Sequence, residues 1–89
     1  MYEWDEKKRL SNIKKHSLDF VDAVMVFEDA NRLVYEDKRK DYSETRYRTI
    51  GSLKGIVIIV IVYTDRTSKT RIISARVANK KERVIYEKQ

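Results

Sequence analysis

Ile56-Val57-Ile58-Ile59-Val60-Ile61-Val62-Tyr63 is the stretch that decides the fold. This apolar run is far shorter than the roughly 20 residues of a membrane helix. Its Ile and Val side chains favour extended backbone. A half-solvated strand alternates apolar and polar residues, and this one does not. It is expected to be a central strand covered on both faces. Working outward, Gly51 to Gly55 reads as the turn before it and Asp65 to Lys69 as the turn after it, with a further strand over Thr70 to Val77. Upstream, Arg46, Arg48 and Ile50 alternate with Tyr47 and Thr49, the pattern of a strand with two unlike faces. Leu33-Val34-Tyr35 suggests a short first strand. The charged stretch Glu36 to Ser43 between these two reads as a mobile hairpin loop.

Helical signals flank this β region. Asp5 is placed to cap a helix from Glu6 to about His16, with Leu10 and Ile13 as its apolar stripe and Trp4 packing at its entrance. Asp19 caps a second helix, with Asp22 as a weak capping box, and Phe20, Ala23, Val24 and Phe27 recur at helical spacing. Asn79 with Glu82 three residues on forms a capping box for a last helix through Tyr86. The expectation is an α+β domain over residues 1–89, ordered α-α-β-β-β-β-α, with a four-stranded, mainly antiparallel sheet.

Composition narrows the function. A chain of 89 residues makes one domain and buries only roughly 60–65% of its unfolded surface. The absence of Cys removes disulfides, thiolate nucleophiles and sulfur-bound zinc, and fits a reducing cytoplasm. Met1-Tyr2-Glu3-Trp4-Asp5 does not read as a secretory signal, and no segment suits a membrane. Net charge is +6 and the pI about 9.6. Residues 1–45 hold nine Lys/Arg against eleven Asp/Glu, a net of −2, whereas residues 46–89 hold eleven against three, a net of +8. Such polarity suits a polyanionic partner, RNA first among them. General basicity without a specific partner is the alternative.

Several residues carry candidate chemistry. Arg46, Arg48, Arg66, Arg71 and Arg76 offer planar forks that grip phosphate with paired hydrogen bonds. They are otherwise solvated edge charges. Arg71 and Arg76 stand five apart, so strict alternation puts them on opposite faces unless a bulge intervenes. His16, the only histidine, suits acid–base work, or else complements a helix C-terminus. Tyr35, Tyr42, Tyr47, Tyr63 and Tyr86 are able to stack on unpaired bases, or to pack on a sheet; Tyr42 and Tyr86 are the functional candidates. No spacing of acids or histidines suggests a metal, and no cofactor is expected. RNA cleavage without metal uses the 2′-hydroxyl as nucleophile and needs a base, an acid and cations.

Taken in order, Trp4-Asp5-x-x-Lys8-x-x-x-Asn12-x-x-Lys15-His16, Phe20-x-x-Ala23-x-x-x-Phe27, Glu44-x-Arg46-x-x-x-Ile50-Gly51, Arg71-Ile72-Ile73-Ser74-Ala75-Arg76-x-Ala78 and Glu82-Arg83-x-x-Tyr86 resemble BrnT-type toxins. The resemblance implies a RelE-like fold and an endoribonuclease toxin of a type II toxin–antitoxin pair that inhibits translation. It further implies a BrnA-like antitoxin partner, operator DNA bound only through that antitoxin, and an oligomer of toxin–antitoxin units. In that picture Lys15, His16, Arg46, Arg71 and Arg76 are the catalytic candidates. Lys8, Asn12, Arg48 and Tyr86 are the RNA-contacting ones. Ser17 replaces the family's usual Gly, and Tyr42-Ser43 stands where relatives often have histidine. A non-catalytic basic binding module and a gyrase-directed toxin on the same scaffold remain the rival readings.

Overall fold

Val57–Arg66 forms the longest strand and stands at the centre of a five-stranded sheet. The computed structural model describes residues 1–89, in the order β1 (Tyr2–Trp4), α1 (Glu6–His16), α2 (Phe20–Ala23), a 3-10 segment (Val24–Glu28), β2 (Leu33–Glu36), β3 (Tyr47–Leu53), β4 (Val57–Arg66), β5 (Lys69–Val77) and α3 (Lys80–Glu87). The strands lie in the order β1-β5-β4-β3-β2. β2 to β5 form an antiparallel meander, and β1 pairs parallel with β5 through Tyr2–Thr70, Glu3–Arg71 and Trp4–Ile72.

The sheet therefore has five strands and is mixed, where four mainly antiparallel strands were expected. Trp4 belongs to β1 rather than to a helix entrance. It still meets Phe20, edge to face at 6.0 Å between ring centroids. The second helix is a single α-turn that tightens into a 3-10 segment. Asp19 caps it by accepting from the Val21 amide. Gly51 lies inside β3, not in a turn. A Cβ there would stand 2.7 Å from Val26 Cγ2, so only glycine lets the 3-10 segment approach the strand this closely. The turn itself falls at Lys54 and Gly55, both at positive φ, with Ile56 N–H donating to the Leu53 carbonyl.

One face of the sheet, called here the helical face, receives α1, α2 and the 3-10 segment. Its core is Phe20, Ala23, Val26, Ile59, Ile61, Tyr63, Ile72 and Ala75. Full burial of each large side chain contributes about 1.5–3 kcal/mol. The other face carries a smaller cluster, Ile50, Val60 and Ala78, with Leu33, Ile58 and Tyr86 packed against it. α3 covers only that end. The central strand is thus sealed by helices on one face and only partly on the other, and arginines occupy the rest.

Asp5 caps α1 as expected, accepting from the amides of Lys7 and Lys8. The helix closes on Ser17 in the left-handed region, φ 56° and ψ 31°, with its amide bonded to the Ile13 carbonyl. A side chain in that conformation is strained where glycine is not. The loop between β2 and β3 is pinned rather than loose. Asp37, with a fully buried side chain, accepts from the Arg39 guanidinium and amide and from the Tyr42 hydroxyl, while its own amide donates to Arg46.

Candidate nucleic-acid interface

The arginines share a face because β5 holds one extra residue. Val62 pairs with Ser74 and Tyr63 with Ile72, leaving Ile73 as a bulge. Without it, Arg71 and Arg76 would point to opposite sides. With it, Ile72 and Ala75 both enter the helical core, and Arg71, Ser74 and Arg76 all take the opposite face. The face is ordered in rows across the strands. Leu33, Ile50, Val60 and Arg76 form one row, and Tyr35, Arg48, Val62 and Ser74 the next. Thr64, Arg71 and Glu3 form a third, which Arg46 extends from just before β3. Successive rows lie about 7 Å apart and adjacent strands about 4.8 Å apart.

Each of these arginines already has a carboxylate nearby. Arg76 makes a two-pronged pair with Glu82 at 2.7 and 2.8 Å, and Arg48 approaches the same carboxylate at 4.0 Å. Glu82 also accepts from the Asn79 amide, so the capping box of α3 and the arginine cluster share one side chain. The hydrogen bonds from Arg76 hold the Glu82 carboxyl below the usual range, against the opposing effect of burial. Arg71 lies 3.6 Å from Glu3. Arg46 Nε lies 3.7 Å from Glu44, an ion-pair contact too long for a hydrogen bond. The Nε groups of Arg46 and Arg48 are both buried and lack any acceptor. Tyr42 stacks over Arg46, 4.1 Å from its guanidinium carbon to the ring centroid, and Asp37 holds the Tyr42 hydroxyl. Sequence reasoning missed Asp37 and Arg39. Their i, i+2 spacing in a charged loop gives no sign that the carboxylate is buried.

Around the outer edge of β5 runs a shallow groove lined by Lys8, Ser11, Asn12, Lys15 and His16 of α1 and by Ile73 and Ser74. Lys15 and His16 sit in the last turn of α1 and are exposed. They therefore lie beyond the edge of the arginine face, not on it. No group of three or more His, Asp or Glu side chains is placed to hold a metal ion. No helix is long and apolar enough to cross a membrane.

A family model described as the ribonuclease toxin BrnT of type II toxin–antitoxin systems matches residues 4–82. The chain belongs to the BrnT family. A solved structure, that of the Brucella abortus ribonuclease toxin BrnT, is 32% identical with a TM-score of 0.71, covering 90% of this chain and 99% of that one. Comparison with curated proteins gives no match.

Two positions that carry the BrnT resemblance, Asn12 and Tyr86, have structural partners in this fold. Asn12 is buried, and both hydrogen-bonding ends of its amide are occupied. Nδ2 donates to the carbonyls of Leu18 and Ala75, and Oδ1 accepts from the Ala75 amide. Tyr86 packs on the Ile50–Val60 cluster, at the α3 end of the sheet face that carries Arg76, and donates to Asp29 at 2.6 Å. The bond to Asp29, with burial, pushes the Tyr86 phenol up to about 12. A phenol raised above its unfolded value of 10.0 adds stability that is full below pH 10 and is lost as pH climbs towards 12. Urea midpoints of wild type and Tyr86→Phe should therefore converge across that window. A gap that stays constant from pH 8 to 12 would show the bond has no such role.

Proposed function

We propose that the arginine face binds the phosphates of single-stranded or translated RNA, and that this chain cuts it without a metal as an endoribonuclease toxin. A small BrnA-like antitoxin neutralises it. It alone contacts operator DNA, within an oligomer of toxin–antitoxin units. The observation that carries this reading is the bulge at Ile73. It puts Arg71 and Arg76 on one rigid face with Arg46 and Arg48. The Arg46 and Arg48 side chains stay partly exposed at 23% and 30%, which lets a phosphate approach their guanidiniums.

The chemistry follows from that charge. A 2′-hydroxyl attacks the adjacent phosphorus and the bond to the 5′ oxygen breaks, leaving a 2′,3′-cyclic phosphate and a 5′-hydroxyl. Arg46, Arg71 and Arg76 hold the phosphate and steady the charge that builds on its oxygens. Lys15 and His16, across the β5 edge, assist the two proton transfers. The metal-free reading comes from the sequence, which has a single histidine and no D-x-D or H-E-x-x-H spacing.

A non-catalytic binding module is the second reading. It is favoured by Glu82, the most buried carboxylate of the arginine face, being held ionised by Arg76 and so poorly suited as a base. Purified protein incubated with total RNA in excess EDTA separates the two. Cleavage is expected to persist with cyclic-phosphate ends. Intact RNA at high protein excess would leave only the binder.

A further inference from the structure

We propose that a single RNA strand leaves the arginine face over the outer edge of β5 and continues into the groove beneath α1, so that the protein takes unpaired RNA long enough to round that edge. This rests on the reading of the arginine face as an RNA site and specifies which RNA fits it.

Three observations meet at this edge. First, β1 ends at the Trp4–Ile72 pair, so β5 has no strand neighbour on that side from Ile73 onward. Only the Asn12 side chain reaches across to Ala75, which leaves the edge one strand thick rather than walled. Second, Ser74 belongs to both surfaces. Its pairing with Val62 sets it on the arginine face between Arg71 and Arg76, and it also lines the groove with Lys8, Lys15 and His16. Third, the cations on the two sides differ in their state. Arg46, Arg48, Arg71 and Arg76 all have carboxylates within 4.0 Å, whereas no ion pair engages Lys8 or Lys15. The groove therefore offers charge that no internal partner offsets.

Geometry selects the ligand. Lys8 and Lys15 are two turns apart on one side of α1, about 10 Å along its axis. A strand passing from the face to this row must turn sharply at Ser74. A flexible single strand with splayed bases makes such a turn, and a stiff A-form duplex does not. Lys8 acts as a backbone contact without base preference, so this part of the groove adds affinity and length dependence rather than sequence choice.

Binding of 2′-O-methyl RNA, which lacks the attacking hydroxyl, tests this without interference from cleavage. The probes are single strands of roughly four and twelve nucleotides, within the footprint range of small single-strand-binding domains, and a duplex of the longer one. Lys8→Glu, at an exposed position, should weaken the longer strand about tenfold and the shorter one far less. Lys8→Ala should lower the salt slope of the longer strand by about 0.7, one phosphate contact. The duplex should bind at least tenfold more weakly than the single strand of equal length. Equal losses on both lengths, or a duplex bound as well as the single strand, would overturn the proposal while leaving the arginine face in place. If neither single strand binds the wild-type protein, the RNA reading of that face falls, and this one with it.

Discussion

Replacing Arg76 with alanine is expected to lower RNA cleavage about 100- to 1,000-fold, the scale for losing one fixed donor to the charge that develops in a transition state. The same change removes the two-pronged partner of Glu82, leaving a buried carboxylate with only the Asn79 amide and a distant Arg48. Some stability must go with it, because an uncompensated buried charge is costly. Activity and folding are separable by also making Arg76→Lys, which keeps a positive charge beside Glu82 but loses the fork. If the fork matters for phosphate, the lysine variant recovers much of the thermal midpoint and little of the cleavage. The cellular counterpart is growth arrest in a host without the antitoxin. Arrest by folded Arg76→Ala as strong as by wild type would remove Arg76 from the mechanism.

The second large effect belongs to Asn12 and is an effect on stability alone. Asn12→Ala deletes three hydrogen bonds and leaves the Leu18 carbonyl and the Ala75 amide and carbonyl without these partners. Orphaned buried groups cost about 1–3 kcal/mol each, so a loss of about 2–4 kcal/mol is expected after partial hydration of the edge. For a domain of this size, that lowers the midpoint of thermal unfolding by about 10–25 °C. Below the new midpoint, KM for RNA should stay near wild type. A raised KM with an unchanged melting curve would instead mark Asn12 as an RNA contact.

These two residues also mark what the sequence made legible. The apolar run, the alternation around Arg46 and Arg48, and the caps at Asp5, Asp19 and Asn79 are local signals, and the elements they announce formed within a few residues of expectation. β1 was invisible because Tyr2-Glu3-Trp4 is too short to show a period, and its partner lies nearly seventy residues away. Asn12 looked like a surface amide on a polar helix because nothing local reveals that β5 stops short of a neighbour there. The arginines were legible as phosphate-binding residue types. Their common face was not, since it depends on where a bulge falls. Asp37 was hidden for a like reason, its burial arising from the way the β2–β3 loop folds back on Arg46.

The bulge at Ile73 has a consequence for how this segment tolerates change. Residue 73 contributes by being present more than by being isoleucine, so many substitutions there would leave both arginines where they are. Loss or gain of one codon between Arg71 and Arg76 is different in kind. It would leave Arg71 and Arg76 an even number of residues apart, so that simple alternation alone would keep both on one face and the bulge would no longer be needed. What keeps the charge of β5 on a single side is the match between spacing and bulge, an odd spacing of the arginines taken with one residue bulged out of the ladder.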